Sequence, residues 1–128
     1  IPLIDINEDD FFKLFSNIVS NAIDHGFKKE YGNIIRSKIK YDSNFESCVL
    51  EVSNNGIPMP EKFTFSHLTT RGEKTTDSKG TGIGGADIKD IMTTYKGTFE
   101  LFNDNKSPFP VTYKLNFPIS KTIEENEI

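Results

Sequence analysis

The stretch that decides the fold is a glycine-rich turn that runs directly into a helical pattern, Gly80-Thr81-Gly82-Ile83-Gly84-Gly85-Ala86-Asp87-Ile88-Lys89-Asp90-Ile91-Met92. Four of its first six residues are glycine, which lets the backbone turn tightly and approach a ligand closely. The helix that follows presents unpaired N–H groups and the positive end of its dipole. The combination predicts an anion site, most often for phosphate. A flexible linker leading into a helix would have the same composition, so what lies upstream decides between the two.

Length and composition indicate one globular domain. The chain has 128 residues, of which 35% are hydrophobic and 27% charged, enough for a single core. A net charge of −4 argues against nucleic-acid binding, so no nucleic-acid partner is expected. The single cysteine, Cys48, excludes an internal disulfide and a cysteine-based zinc site. The apolar runs are too short to span a membrane, so we expect no membrane contact from this fragment.

Two long helices are predicted. Asn7 is suited to cap the first, which should extend from about residue 8 to 25 and end at Gly26 as its C′ residue. Its apolar positions recur at helical spacing, so one broad face should be buried. The second helix should cover residues 83–96 and end at Gly97.

The remaining pattern is that of short strands at residues 1–6, 33–41, 45–53, 98–102 and 111–117. Asp42-Ser43-Asn44 should turn the second and third of these into an antiparallel hairpin. Residues 57–82 are a long irregular connection, typical of a functional lid or a disordered segment, with one short helical possibility near 61–67. The order of elements indicates an α+β fold with helices on one face of a mixed or antiparallel sheet. We expect one domain over residues 1–118 and a frayed tail over 119–128.

Polar residues stand out at two further places. Asn17 and Asn21 are four residues apart and share a face of the first helix, and Asp24 continues the same stripe. Taken alone, this stripe is simply a solvated helix face. Asn54-Asn55-Gly56 interrupts the end of a strand, and taken alone it is a plain turn.

In chain order these motifs resemble those of the GHKL family of ATP-binding domains: gyrase, the ninety-kilodalton chaperone, histidine kinases and MutL. Asn17-Ile18-Val19-Ser20-Asn21-Ala22 corresponds to the family's N box, Val52-Ser53-Asn54-Asn55-Gly56 to its first glycine box, and the turn at 80–85 to its second. The likeness covers roughly residues 5–118 and is greatest to the histidine kinase catalytic domain. It implies the Bergerat fold, a two-layer α/β sandwich with a mixed, mostly antiparallel sheet, helices on one face and a long ATP lid.

The resemblance assigns the N-box residues to the metal and the phosphates. Asn21 matches the residue whose side-chain oxygen ligates Mg²⁺, a cation that prefers hard oxygen ligands. Asn17 matches the position of the glutamate base in the gyrase, chaperone and MutL branches; an amide cannot take a proton from water at neutral pH, so intrinsic hydrolysis should be weak. Asp24 lies where many histidine kinases carry a phosphate-contacting Lys or Arg, and a carboxylate there repels phosphate or binds it through a cation.

The resemblance assigns the first glycine box to the base. Asn54 matches an aspartate that accepts a hydrogen bond from the adenine amino group; losing the charge should weaken adenine recognition by about tenfold. Gly56 is the first glycine of this box, whose second is absent, and Ile57 and Met59 should pack near the base. Thr112 matches approximately a family threonine beside the adenine-binding carboxylate.

Phosphate contacts are assigned to the lid and to the second glycine box. The lid offers the cations Arg71, Lys74 and Lys79, which would otherwise be solvated loop charges. The second box supplies Gly80, Thr81, Gly82, Ile83, Gly84 and Gly85. The two histidines, His25 and His67, are expected to be a helix-capping or surface residue and a surface residue of the lid.

The resemblance thus implies ATP and Mg²⁺ as cofactors and phosphoryl transfer to a histidine on a partner domain. Its expected partners are ATP, a dimerisation or phosphoacceptor domain and a response regulator. An ATP-gated switch with little turnover and a scaffold that binds no nucleotide are the alternatives. The chain starts at Ile1 rather than Met, so we expect a fragment of a larger protein. The expected location of this domain is cytoplasmic, although the full-length protein could be membrane-anchored.

Overall fold

The longest strand, β5 (Val111–Thr122), organises the sheet. The computed structural model describes residues 2–59 and 84–122. The other strands of the described chain are β1 (Pro2–Ile4), β2 (Ile35–Asp42), β3 (Ser47–Asn54) and β4 (Thr98–Asn103). β1, β3 and β4 each pair antiparallel with β5, and β2 pairs antiparallel with β3. One edge of the sheet is therefore β2, and β5 lies at its centre.

The helical layer consists of two α-helices and one wider turn. Helix α1 (Glu8–Asn21) continues directly into a π-helical turn (Ala22–Gly26). Helix α2 (Gly84–Thr94) packs beside α1. The wider turn is closed by a hydrogen bond from the Phe27 N–H to the Ala22 carbonyl at 2.8 Å, a five-residue separation in place of the usual four.

Local side-chain chemistry fixes the start of α1. The Asn7 Oδ1 atom accepts hydrogen bonds from the backbone N–H groups of Asp9 at 2.8 Å and Asp10 at 3.4 Å, as the sequence predicted for its cap. The Tyr95 hydroxyl, just beyond α2, donates to the Asp10 carboxylate and accepts from the Asn7 N–H at 3.2 Å. The beginning of α1 is thereby tied to the end of α2.

One face of the sheet forms the core with the helices. Leu50 pairs with Leu115 and Val52 with Tyr113 across β3 and β5, and all four side chains are buried. The helices contribute Leu14, Ile18, Ile88, Ile91 and Met92 to the same cluster. Full burial of a side chain of this size stabilises the fold by about 1.5–3 kcal/mol.

The predicted α+β class is confirmed, as are both helices and the hairpin of β2 and β3. In the hairpin turn the Asp42 Oδ1 atom accepts a hydrogen bond from the Asn44 N–H at 3.0 Å. Every strand pair of the described chain is antiparallel. The lid predicted at 57–82 and its short helix lie outside the described residues, except for 57–59.

The expected role of Gly26 as a helix stop was wrong. The α-helix ends at Asn21, and Gly26 is the last residue of the π-helical turn. Among the described glycines, a left-handed φ occurs at Gly32 (76°) and not at Gly26. Gly26 is needed for space instead: a Cβ there would lie 3.3 Å from the Asn54 Oδ1 atom and 3.7 Å from the Gly56 Cα atom.

Two further boundaries differ from expectation. The left-handed residue after α2 is Lys96 (φ 61°), whereas Gly97 is required because a Cβ would lie within 2.4 Å of the Asn116 carbonyl oxygen. At the carboxyl end, β5 continues to Thr122, where we expected a frayed tail from residue 119. Residues 119–122 are held by pairing with β1, a long-range contact that local sequence does not reveal.

Candidate functional site

The π-helical turn and the first glycine box are in direct contact. The Ile57 N–H donates to the Gly26 carbonyl at 2.9 Å. A Cβ on Gly56 would lie 2.6 Å from both the carbonyl carbon and the oxygen of Gly26, so a larger residue does not fit there. The end of the N-box helix is thereby joined to the end of β3, and two of the three motifs form one surface.

Asn54 is held rigidly within this contact. Its side chain shares the helix-facing side of β3 with Val52, and the residue is 4% exposed. Its Oδ1 atom accepts a hydrogen bond from the Gly56 N–H at 2.9 Å. Since this bond requires the oxygen at that position, it also sets the orientation of the amide.

The side chain of Asn55, unlike that of Asn54, binds backbone groups of the loop before β2. Its Oδ1 atom accepts from the Ile34 N–H at 2.7 Å, and its Nδ2 group donates to the Gly32 carbonyl at 2.7 Å. Asn55 therefore anchors the loop before β2 to the end of β3. The motif is a structured junction of three chain segments.

Asn21 lies at the end of α1 and reaches across to β5. Its Nδ2 group donates to the Tyr113 hydroxyl at 3.3 Å. Tyr113 is 1% exposed, and burial raises the pKa of its hydroxyl to about 12, with the hydrogen bond from Asn21 acting in the opposite direction. The hydroxyl is thus neutral at physiological pH and can accept this bond.

Two residues on or next to the N-box stripe, Asn17 and His25, carry buried polar atoms. Asn17 Nδ2 and His25 Nδ1 are buried, and neither has a hydrogen-bond partner among the described residues. Burial lowers the pKa of His25, partly opposed by the charge of Asp24 and reinforced by that of Lys28. His25 lies, as expected, near the end of the helical segment, in the π-helical turn, and the residue is partly exposed, while its predicted capping role stays a prediction. Asp24 lies in the same turn, partly exposed.

The residues after Gly56 lead toward β4. Ile57 is 44% exposed, whereas Met59 packs against the core. The backbone of Met59 is bound on both sides by Asn103, whose Oδ1 accepts from its N–H and whose Nδ2 donates to its carbonyl, each at 3.0 Å. The chain therefore leaves the glycine box along a fixed path.

Thr112 does not join Asn54. The register pairs Asn54 with Val111 and Ser53 with Thr112, and the Thr112 hydroxyl lies 2.8 Å from that of Ser53. Successive residues of a strand face opposite sides, so Thr112 faces away from the helices while Val111 and Asn54 share the inner face. The predicted role of Thr112 near the base stays a prediction, and the register places its side chain beside Ser53 rather than Asn54.

Most of the predicted phosphate contacts lie outside the described residues. This applies to Arg71, Lys74, Lys79, Gly80, Thr81, Gly82 and Ile83. Gly84 and Gly85 open helix α2. Their predicted contacts with phosphate stay predictions.

Comparison with known proteins decides the family. Residues 6–120 match the family model described as histidine kinase-, DNA gyrase B-, and HSP90-like ATPase. The chain belongs to this family. Domains of this ATPase family bind ATP. No match was found among curated proteins.

Solved structures of histidine kinases share the ATPase-family fold. The mycobacterial sensor histidine kinase MprB aligns with a TM-score of 0.74 and 15% identity over 93% of this chain and 76% of its own. The nucleotide-free catalytic domain of histidine kinase ThkA gives 0.70 and 20% over 90% and 71%. Full-length ShkA in complex with AMPPNP gives 0.73 and 13% over 97% of this chain but only 24% of its own. The fold thus also occurs within a much longer protein.

The described residues fit a magnesium site built on an amide and on the nucleotide's own oxygens. They contain no group of three His, Cys, Asp or Glu side chains that could hold a metal. With Asn21 Nδ2 bonded to Tyr113, the amide oxygen is the end left to face a cation. One neutral oxygen suits Mg²⁺, which usually keeps its waters and substrate phosphates as further ligands.

Sequence reasoning missed Tyr113, Asn55 and Asn103. Tyr113 was predicted only as part of the strand at 111–117, and the available signal was a hydroxyl among apolar residues at alternate positions. Asn55 and Asn103 bind backbone groups of distant segments, for which no local signal exists. No helix of the described chain is long and apolar enough to cross a membrane.

Proposed function

We propose that this chain is the ATP-binding part of a histidine-kinase-like protein. It binds ATP together with Mg²⁺ and supplies the γ-phosphate for transfer to a histidine on a partner domain. Asn54, Gly56, Ile57 and Met59 contact the base. Asn21 gives its amide oxygen to Mg²⁺, and the turn at 80–85, with the lid cations, holds the phosphates.

The contact between Gly26 and Gly56 carries this proposal. It brings the N-box helix and the first glycine box to one place although they are 30 positions apart in sequence. A buried amide at its centre, Asn54, has a fixed orientation. Ligand sites usually contain a few precisely placed polar groups that fix the orientation of the ligand. The buried, oriented amide of Asn54, beside the close contact between Gly26 and Gly56, is such a group.

The residues of the chain act by binding and positioning. Asn17 is an amide and cannot serve as a general base, so no described N-box side chain activates water in the way a glutamate would. Phosphoryl transfer needs mainly alignment of the γ-phosphate with an acceptor and neutralisation of its charge. When bound, Mg²⁺ supplies part of that neutralisation. We propose that the acceptor histidine, and a response regulator after it, come from other domains, and that the chain works in the cytoplasm.

Calorimetry on the 128-residue chain tests the binding step. ATP, ADP and a non-hydrolysable ATP analogue are titrated with and without Mg²⁺, and we expect Mg²⁺ to tighten ATP binding. Asn21→Ala should remove most of that Mg²⁺ effect, whereas Asn44→Ala, in the exposed hairpin turn, should leave it unchanged. No heat with any nucleotide would exclude the proposal and leave a scaffold.

Transfer is tested separately with ATP labelled at the γ-phosphate and the natural phosphoacceptor domain. Label on a histidine of that domain is the expected result. Binding without transfer would remove the kinase part of the proposal.

An ATP-gated switch is the second candidate, favoured by the amide at Asn17. An N box without a base suits a domain that holds ATP unchanged while a partner reads its bound state. In this case nucleotide should change the oligomeric state or partner affinity of the chain, measured by analytical ultracentrifugation. ATP should be consumed only slowly while it is bound. Equal sedimentation with and without ATP would exclude it.

A further inference from the structure

The Tyr113 hydroxyl is an unusual feature of the inner face of β5. Its neighbours on that face, Val111, Leu115 and Phe117, are apolar and buried. Burying a hydroxyl is unfavourable unless it forms a hydrogen bond, so a phenylalanine would serve the core better. The hydrogen bond that this hydroxyl accepts comes from Asn21 Nδ2 at 3.3 Å.

The ring that carries this hydroxyl is fixed by the core. It stacks on Phe99 with ring centroids 5.8 Å apart and planes within 8°. On the neighbouring strand it lies opposite the buried Val52. The hydroxyl is therefore held by a rigid sheet, 92 residues away in sequence from the amide it binds.

Asn21 has no such support from its own helix. It is the last residue of α1, where the α-helix changes into the π-helical turn. An asparagine amide has a donor and an acceptor end of nearly equal shape, and only the oxygen can ligate a cation. In the described chain, the hydrogen bond from its Nδ2 group to Tyr113 distinguishes the two ends of this amide.

We propose that Tyr113 is a positioning residue for the metal ligand: it holds the Nδ2 end of Asn21 and thereby turns the amide oxygen toward Mg²⁺. The inference rests on the proposed function, in which Asn21 binds Mg²⁺ with ATP. Tyr113 itself touches neither the cation nor the nucleotide. Its effect should appear in metal affinity and be nearly absent from nucleotide affinity without metal.

The first test is Tyr113→Phe, which retains the ring and removes only the hydroxyl. Mg²⁺ affinity of the ATP complex, obtained from titrations of ATP binding at a series of Mg²⁺ concentrations, should fall about fivefold, equivalent to about 1 kcal/mol. ATP affinity in EDTA should change less than about twofold. Tyr41→Phe, at a side chain 54% exposed on β2, is the matched control and should change neither.

The second test repeats Tyr113→Phe in an Asn21→Asp background. A carboxylate has oxygen at both ends, so one can ligate the cation while the other accepts from the hydroxyl, and removing the hydroxyl should lower Mg²⁺ affinity clearly less than it does with Asn21. A purely structural role of Tyr113 would lower affinity equally in both backgrounds and would overturn the inference.

The positioning role of Tyr113 and the proposed ATP site can be excluded separately. Unchanged Mg²⁺ affinity in Tyr113→Phe, with a clear loss in Asn21→Ala, would overturn the positioning role and leave the proposed ATP site intact. Unchanged Mg²⁺ affinity in Asn21→Ala would remove the metal role of Asn21, and with it both the proposed site and this inference.

Discussion

The two described halves of the candidate site differ in how their polar groups are satisfied. At the glycine box, Asn54 and Asn55 bind backbone groups of their own fold at 2.7–2.9 Å. At the N box, Asn17 Nδ2 and His25 Nδ1 are buried with no hydrogen-bond partner in the described chain. In the described chain, the buried side-chain atoms without a hydrogen-bond partner lie in the second half and not in the first.

This difference indicates which half the fold builds and which half a ligand completes. Buried polar atoms are nearly always bonded in native proteins, so each exception needs an explanation. One exception, Asn17, lies on the stripe that the family resemblance assigns to metal and phosphate, and the other, His25, directly follows Asp24 of that stripe. We infer that the base end is preorganised, whereas the N-box end keeps polar atoms available for the bound nucleotide and its waters.

The largest effect is expected from Gly56→Ala, which breaks the preorganised half. The new Cβ would lie 2.6 Å from backbone atoms of Gly26, and backbone cannot move aside as a side chain would. We expect the free energy of unfolding to fall by about 2–3 kcal/mol, measured by urea denaturation.

Gly32→Ala is the matched control for this variant. Gly32 has a left-handed φ of 76° but nothing within 4 Å of a new Cβ, so backbone strain alone should cost about 1 kcal/mol. An equal loss in both variants would show that the contact between Gly26 and Gly56 does not stabilise the fold.

Local chemistry made much of the fold predictable. The cap at Asn7 and the turn at Asp42 act within three residues of themselves, so the sequence shows them directly. The α+β class followed from the order of such elements. The carboxyl end of β5 was missed because its partner, β1, is at the other end of the chain.

Sequence-based prediction of the site succeeded where a motif is contiguous in the chain. It failed where two distant segments meet. Gly26 was predicted as a helix stop from its local sequence. The need for glycine there comes from the close contact with Asn54 and Gly56 on another segment, which the sequence does not show. The sequence did not show which face of its strand Thr112 occupies, because a shift of one residue reverses the face and a sequence count does not fix that register. Tyr113 needed the sheet and the helix together.

Asn17→Leu should have the next largest effect, and of opposite sign. Leucine fills similar space without leaving a buried donor unpaired, so the ligand-free chain should gain about 1 kcal/mol in unfolding free energy. ATP affinity should fall by about tenfold if this donor serves the nucleotide. Urea denaturation and calorimetry on one preparation measure both.

Asn33→Leu provides the contrast for that variant. Asn33 Nδ2 donates to the Lys29 carbonyl at 2.8 Å, so its removal should cost about 0.5–1 kcal/mol and leave ATP affinity unchanged. If Asn17→Leu destabilised the chain as much as Asn33→Leu does, the Asn17 amide would have a hydrogen-bond partner after all. Of the buried polar atoms without a partner in the described chain, His25 Nδ1 would then remain.

The smallest effect is the pH dependence that His25 adds to stability. Burial holds the pKa of His25 below its usual 6.5 in the folded chain, with Asp24 opposing this and Lys28 adding to it. Below pH 6.5 the unfolded chain therefore binds more protons than the folded one, so this contribution to stability decreases as pH falls and is fully present above pH 6.5. Unfolding midpoints in urea at neutral and mildly acidic pH should thus differ more in the wild type than in His25→Gln. Asp24→Asn removes the opposing charge and should make the dependence steeper. Parallel pH profiles for the wild type and His25→Gln would mean that the ring nitrogen reaches water in the ligand-free chain. Asn17 would then be the one buried side chain of the described residues left without a hydrogen-bond partner.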